Sequence, residues 1–243
     1  MTYAAQLPET LPSRGKGSKS RTPDYAPILF TIPIPKPATN QPKVDLLYGV
    51  GIDDFTDTYG ADQWSYTVWK GMLDRCYNES STRSRTTYTD CSVAPCWHRY
   101  SDFKVWFDKN RIAGCQLDKD ILIPGNRVYS PDTCCFVPPY INMAARWQRE
   151  LPRAGYPGVA IFAEGFQATV THKGTLTIGE WRTNTLEAHC DWQRLKADAI
   201  DDHLRDYLRE IAPDLRVVRA LIKYVDRLRS NADAMTPTFQ YQH

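Results

Sequence analysis

The sequence predicts an α+β protein, and three observations support this fold class. Apolar residues recur at the 3–4 spacing of amphipathic helices in several segments, the first over residues 64–76. Three short alternating runs between residues 159 and 181 are separated by Glu164-Gly165 and Lys173-Gly174, which is typical of a three-stranded antiparallel sheet. The chain has 243 residues, 42% of them apolar, and can therefore bury one large core or two small ones.

Residues 1–44 are predicted to form a flexible arm. They hold eight of the 17 prolines, in runs such as residues 33–37, and this density disfavours both helix and central strand. Lysines and arginines in the arm can contact a phosphate backbone, and the alternative is a solvated tail without a partner.

Residues 45–150 are predicted to form the first folded module. Apolar and aromatic spacing predicts helices over about residues 64–76 and 97–107, and the aromatic load of the second indicates a core. Runs on either side of Pro124-Gly125-Asn126 predict a hairpin over residues 116–129. A third helix should begin after Pro138-Pro139 and carry Asn142 and Trp147.

Residues 151–201 are predicted to form a second module, in which a helix covers the three-stranded sheet. Asn184 and Glu187 have the spacing of a capping box, and helical periodicity continues from there to Ala199. Residues 202–243 should contain two more helices, separated at Pro213, and a frayed tail.

The composition restricts the class of protein. Seven cysteines, with Cys134 and Cys135 adjacent, predict reduced thiols or metal ligands rather than an extracellular disulfide framework. No stretch approaches the ~18 uninterrupted apolar residues of a membrane span, and no secretory signal is evident. We therefore expect a cytoplasmic protein without a membrane partner. The net charge of +2 neither requires nor excludes nucleic acid.

A series of short motifs runs through residues 69–142. In chain order these are Trp69, Met72, Arg75-Cys76-Tyr77-Asn78, Cys91-Ser92-Val93, Trp97, Phe103, Trp106, Leu117-Asp118-Lys119-Asp120, Gly125-Asn126, Tyr129-Ser130-Pro131 and Cys134-Cys135-Phe136. Their order and spacing resemble the phage HNH endonuclease family. The resemblance implies a ββα-metal module, in which a hairpin and a following helix hold one divalent cation that stabilises the leaving oxygen during phosphodiester hydrolysis.

The same resemblance implies three catalytic residues. Asp118 stands at the first metal ligand and Asn142 at the second, with waters and phosphate completing the coordination of Mg²⁺ or another divalent cation. Lys119 takes the place of the histidine base of many HNH nucleases, and a protonated lysine can hold the scissile phosphate but cannot accept a proton. Thr133 stands where the family has the asparagine that pins the loop over the module. On the residues alone, Asp118 can instead be a surface strand residue, and Asn142 a helix cap.

The second module carries its own motifs. These are Tyr156-Pro157-Gly158-Val159, Phe166-Gln167-Ala168, Val170, Lys173-Gly174, Leu176, Gly179, Trp181-Arg182-Thr183 and Glu187-Ala188. They resemble the APETALA2/ethylene-response-factor type DNA-binding domain, which lays its three-stranded sheet in the major groove. Phe166 replaces the usual tryptophan, and strand arginines are nearly absent, so few bidentate guanine contacts are available. The alternative is a small interaction or dimerisation sheet.

The leading hypothesis is a phage-type HNH DNA endonuclease, directed to double-stranded DNA by the second module. The candidate nucleic-acid-binding residues are Lys119, Arg127, Gln167, Thr169, Lys173 and Arg182. The alternative is an HNH scaffold that no longer cuts and acts as a DNA-binding regulator or as an inhibitor of a host protein. A structural zinc site on Cys91, Cys96 and further cysteines is a second alternative to buried thiols, and the spacing disfavours it. The oligomeric state stays open.

Overall fold

The structure is a computed structural model that describes residues 45–54, 63–80, 88–145, 153–210 and 213–238. The predicted arm over residues 1–44 and Trp147 lie outside the described residues. Within the described ranges, the helices are α1 (Gln63–Tyr77), α2 (Tyr100–Asn110), α3 (Pro139–Ala145), α4 (Thr185–Glu210) and α5 (Leu215–Asp233). The strands are β1 (Ser92–Val93), β2 (Gln116–Asp118), β3 (Val128–Tyr129), β4 (Cys135–Val137), β5 (Val159–Phe162), β6 (Gly165–His172) and β7 (Thr175–Ile178). The α+β class is confirmed.

Helices α1 and α2 form the aromatic core that the sequence predicted. Their fully buried residues include Trp69, Tyr100, Phe103 and Phe107, and Trp97 joins them from a 3₁₀ turn over Pro95–Trp97. The indole Nε1 of Trp69 donates a hydrogen bond of 2.8 Å to the Trp97 carbonyl, so the polar atom of this buried ring is satisfied.

The hairpin predicted over residues 116–129 is wrong in its pairing. Strand β2 pairs antiparallel with β4, and β3 pairs in parallel with β1. The chain turns away after β2 because the Asp118 carboxylate accepts hydrogen bonds from the next backbone amides, and β4 offers a fully buried apolar partner. The result is two antiparallel strands followed directly by α3.

The predicted three-stranded sheet is confirmed as the antiparallel order β5-β6-β7. Ala168 and Val170 are buried where the sheet meets α4. Gly158 precedes β5 with a φ of +72°, and a Cβ there would lie 1.8 Å from Trp192 Cδ1 on α4. Only glycine therefore permits this approach of the sheet to the helix.

The predicted helix that ends near Ala199 continues as one helix to Glu210, because no proline or glycine interrupts residues 185–210. The Asn184 side chain accepts from the amide of Leu186 at 2.7 Å, which confirms it as the cap. Helix α5 follows Pro213 as predicted, and the Asp214 carboxylate caps it through the amide of Arg216.

A second hydrophobic core joins both halves of the described chain. Ile121, Val137 and Ile141 pack with residues of α4 and α5, which include Ala197, Ile200, Leu204, Tyr207, Val217, Leu221, Val225 and Leu228. This core therefore spans residue 150, and the predicted domain boundaries at residues 150 and 201 stay predictions. None of the helices in the described ranges has the length and hydropathy needed to cross a membrane.

Candidate functional site

Strand β2 and helix α3 place three oxygen-bearing side chains on one surface. Gln116 and Asp118 lie two residues apart on β2, and side chains at this spacing share a face of a strand. The Asn142 side chain reaches the same face, because its Nδ2 donates to Gln116 Oε1 at 2.9 Å. We call Gln116, Asp118 and Asn142 the β2–α3 face.

Asp118 lies partly buried at the end of β2. Its Oδ1 accepts hydrogen bonds from the amides of Asp120 (2.8 Å) and Ile121 (2.7 Å), which fixes the carboxylate on its own turn. Burial raises the pKa of Asp118 to about 6, the charge of Asp120 adds to this, and the two amide hydrogen bonds oppose it. A cation at this carboxylate would favour its charged form.

The donor set of the β2–α3 face suits a hard divalent cation. It offers one carboxylate and two side-chain amides, and such oxygen ligands are those that Mg²⁺ prefers. Among the described residues, no protein group donates a hydrogen bond to Asp118 Oδ2 or Asn142 Oδ1. These two oxygens are the ones that would hold the metal. The described part of the chain contains no group of three or more His, Cys, Asp or Glu side chains arranged for a metal.

Lys119 points into the protein rather than toward solvent. Only 3% of its surface is exposed, and its Nζ donates to Asp120 Oδ2 at 2.9 Å and to the Asn126 carbonyl at 3.0 Å. The Nζ also lies 5.8 Å from the centroid of the Tyr129 ring. The cation therefore holds the loop after β2, and the sequence had predicted a contact with phosphate at this residue.

Two further side chains hold the loop between β2 and β4. Asn126 Nδ2 donates to the carbonyls of Lys119 (2.6 Å) and Val128 (2.7 Å), where a sheet ladder would otherwise satisfy these groups. Thr133 Oγ1 donates to the same Val128 carbonyl at 2.7 Å and lies 2.9 Å from Ser130 Oγ. Thr133 thus pins the loop from the position at which the resembled family has asparagine.

Two arginines make further contacts that hold the loop between β2 and β4. Arg127 NH1 donates to the Thr89 carbonyl at 2.7 Å. The guanidinium of Arg75 lies over the rings of Tyr88 and Tyr129 and donates to the Tyr129 hydroxyl at 3.2 Å. Arg127, a predicted nucleic-acid contact, therefore has a structural role in the observed arrangement.

The two cations predicted on the second module are paired within the protein. Lys173 binds Asp202 and lies 2.6 Å from Asp206, and these carboxylates raise its pKa. Arg182 donates to Asp191 at 2.6 Å, and that hydrogen bond is the main cause of the raised Arg182 pKa. Contact with a DNA phosphate would have to compete with carboxylates of α4.

The open face of the sheet is mainly apolar and hydroxylic. The strand register places Phe162, Gln167, Thr169, Thr171, Leu176 and Ile178 on this face. Leu176, Ile178 and Trp181 are each more than half exposed, and Trp181 meets Phe162 edge to face at 5.2 Å. Gln167 Nε2 donates to the Gly179 carbonyl at 3.2 Å, and Thr169 Oγ1 lies 3.5 Å from the Gly158 carbonyl. Gln167 and Thr169 therefore also make contacts within the protein.

The cysteines are free thiols. Burial raises the pKa of Cys76 and of Cys134 to about 12, and it also raises that of Cys135. Burial in apolar surroundings therefore disfavours the thiolate form at these three positions.

The site contains one residue that sequence reasoning did not select. Gln116 was predicted only as the start of a strand, although the two-residue period places it on the same face as Asp118. Its Oε1 accepts a hydrogen bond from Asn142 Nδ2 and so links the side chains of β2 and α3. Comparisons with protein-family models, with curated proteins and with solved structures found no match to this chain.

Proposed function

We propose that this protein is an HNH-type DNA endonuclease that hydrolyses phosphodiester bonds with one divalent cation. The observation that supports this best is the β2–α3 face, where an antiparallel strand pair and the following helix bring Asp118 and Asn142 to one surface. Phosphodiester hydrolysis with one metal needs such a pair of oxygen ligands and open positions for water and phosphate. The resemblance of residues 69–142 to phage HNH endonucleases agrees with this arrangement.

The chemistry assigned to this chain is limited to what its residues can do. Asp118 and Asn142 would hold Mg²⁺, which supplies charge stabilisation at the leaving oxygen. Gln116 orients the Asn142 amide, because its Oε1 accepts from Asn142 Nδ2, and Oδ1 would then be the oxygen that binds the cation. The sheet β5-β6-β7 would position duplex DNA, and we propose no general base.

A plasmid-nicking assay with Mg²⁺, and with EDTA in a parallel reaction, tests this function. The Asp118→Asn variant keeps an acceptor for the amides of Asp120 and Ile121 but loses the charge, so we expect nicking to fall by roughly 100-fold or more. Nicking by the Asn142→Ala variant should fall by a similar factor. Asp132→Asn is the control, since this exposed residue lies in the same loop outside the β2–α3 face. Equal activity with EDTA, or an unaffected Asp118→Asn variant, contradicts the proposal.

A second function has its own supporting observation. Lys119 Nζ donates to Asp120 Oδ2 and to the Asn126 carbonyl, so the side chain next to the proposed first ligand is directed into the protein and away from solvent. This favours a scaffold that binds DNA without cutting it, as a regulator or as an inhibitor of a host protein. Retarded migration of duplex DNA, with no cleavage under Mg²⁺, Mn²⁺ or Zn²⁺, would select this alternative. Failure to bind any nucleic acid would select a protein partner.

A further inference from the structure

The two long helices carry charge of opposite sign. Helix α4 contains seven acidic and four basic residues, whereas α5 contains five basic and two acidic residues. The carboxylates of α4 include those that pair with Lys173 and Arg182 of the second module. The sheet side of α4 is therefore neutralised within the protein, and positive charge is concentrated on α5.

Helix α5 presents three cations on its outer side. Arg219, Lys223 and Arg227 are all exposed and recur every four residues, which places them along one side of the helix over about 12 Å. We call them the α5 basic stripe. The opposite side of the helix buries Val217, Leu221, Tyr224, Val225, Leu228 and Ala232. Because that side is fixed in the core, the stripe is held toward solvent.

Two members of the stripe have no ionic partner. Neither Arg219 nor Lys223 makes an ion pair or side-chain hydrogen bond to any other described residue. Arg227 lies 6.0 Å from the centroid of the Tyr224 ring. By contrast, Arg229 on the flank of the same helix donates to Asp198 and Asp201 at 2.8 and 2.6 Å. Arg219 and Lys223 therefore differ from the ion-paired arginines of the two helices in offering their charge to an external anion.

The helix that carries the stripe shares a core with the strand pair of the candidate site. Cys135 pairs with Asp118 in the β2–β4 register, and its side chain belongs to the same buried cluster as Val217 and Leu221 of α5. Asp214 and Arg216 form the cap and first turn of α5. The helix that carries the stripe is therefore packed on the strand pair that carries Asp118.

We propose that the α5 basic stripe binds the phosphate backbone of duplex DNA that occupies the β2–α3 face. This inference rests on the proposed function for the choice of DNA. A duplex presents one negative charge per about 1.7 Å of its axis, so a row of three cations meets several phosphates. An anionic membrane fits less well, because the apolar side of α5 is buried and Ile222 is the exposed apolar residue nearest the stripe.

The test is binding of a duplex oligonucleotide in EDTA at a series of salt concentrations. In the triple variant R219Q/K223Q/R227Q, we expect the slope of log affinity against log salt to become shallower by about 2 to 3, since each phosphate contact contributes about 0.9. The control K70Q/K104Q/K109Q removes the same charge from α1 and α2 and should keep the wild-type slope. Circular dichroism and thermal unfolding confirm that both variants fold.

An unchanged slope in the triple variant overturns the inference, and so does a wild-type protein that binds no DNA. It is also overturned if the triple variant loses binding to phosphatidylserine vesicles and retains DNA binding. Because EDTA prevents metal-dependent cleavage, this readout is separate from nicking. If the triple variant has a shallower slope but the wild type does not nick DNA, the proposed nuclease function is wrong and the DNA-binding role of the stripe is supported. If the wild type nicks DNA but the slope of the triple variant is unchanged, the nuclease function is supported and the role of the stripe is wrong.

Discussion

Replacing Lys119 with methionine keeps the length of the side chain and removes its charge. The variant loses two hydrogen bonds from the ammonium group, to Asp120 Oδ2 and to the Asn126 carbonyl. Hydrogen bonds that involve a charged group contribute about 1.5–3 kcal/mol each. The contribution of the Lys119–Asp120 ion pair to the free energy of unfolding is smaller than this, because the Asp120 side chain is 28% exposed and solvent screens its charge. We therefore expect the free energy of unfolding to fall by about 2–4 kcal/mol.

Thermal unfolding followed by circular dichroism measures this loss. For a chain of this size, 1 kcal/mol shifts Tm by about 2–4 °C, so Lys119→Met should unfold roughly 5–15 °C below the wild type. Lys109→Met is the control, because Lys109 is exposed on α2, and it should change stability by less than ~0.5 kcal/mol. The double variant K119M/D120N should recover part of the loss, since it also removes the charge of the carboxylate that had bound the Lys119 ammonium group.

An unchanged Tm in Lys119→Met would refute the inward role of this lysine. If the same variant also bound DNA more weakly, Lys119 would have to contact phosphate, as the sequence predicted. The measurement therefore distinguishes a loop-holding cation from a ligand-binding one.

Two more predictions concern packing. Gly158→Ala should reduce stability by about 2–5 kcal/mol in chemical denaturation, because the positive φ and the overlap with Trp192 both oppose a Cβ. Gly174→Ala has a similar φ of +79° and no atom within 4 Å, so it should lose only about 1–2 kcal/mol, and equal losses would disprove the packing argument. A fragment ending at residue 154 lacks the helices that cover Ile121, Val137 and Ile141, and it should show no cooperative thermal transition. A sharp transition would instead support an independent first module.

Local patterns of the sequence predicted local structure. The helical spacing of Trp69 and Met72 predicted α1, and Glu164-Gly165 with Lys173-Gly174 predicted the turns of the sheet. The Asn184 cap could also be predicted from the sequence, because its side chain accepts from the amide of Leu186, only two residues along the chain. Each of these features depends on neighbours in the chain, so periodicity and turn chemistry are sufficient for them.

The pairing of strands that are distant in the chain could not be predicted in the same way. Strand β2 had two possible partners, and the turn Pro124-Gly125-Asn126 favoured the nearer one. The side chain of Asn126 instead satisfies backbone groups that a hairpin would have paired. The inward direction of Lys119 depends on Asp120 and Asn126 together, and the position of Gln116 depends on its contact with α3. Sequence alone could therefore nominate Asp118 and Asn142 as candidate ligands, and that assignment stays a prediction, but it could not identify the contacts that Gln116, Asp120 and Asn126 make around them.

Helix α4 fixes the spacing between the three-stranded sheet and α3. It meets the start of the sheet where Trp192 approaches Gly158, and it contacts α3 through the His203 and Tyr140 rings, whose centroids lie 5.3 Å apart with the ring planes tilted by 31°. Its 26 residues make a rod about 39 Å long. A nuclease tethered to its DNA-binding domain by a flexible linker cuts over a range of distances. When the DNA-binding sheet and the β2–α3 face are both packed on one helix, the distance between them is fixed. Under the proposed function, scission would fall at one fixed offset from the base pairs held by the sheet.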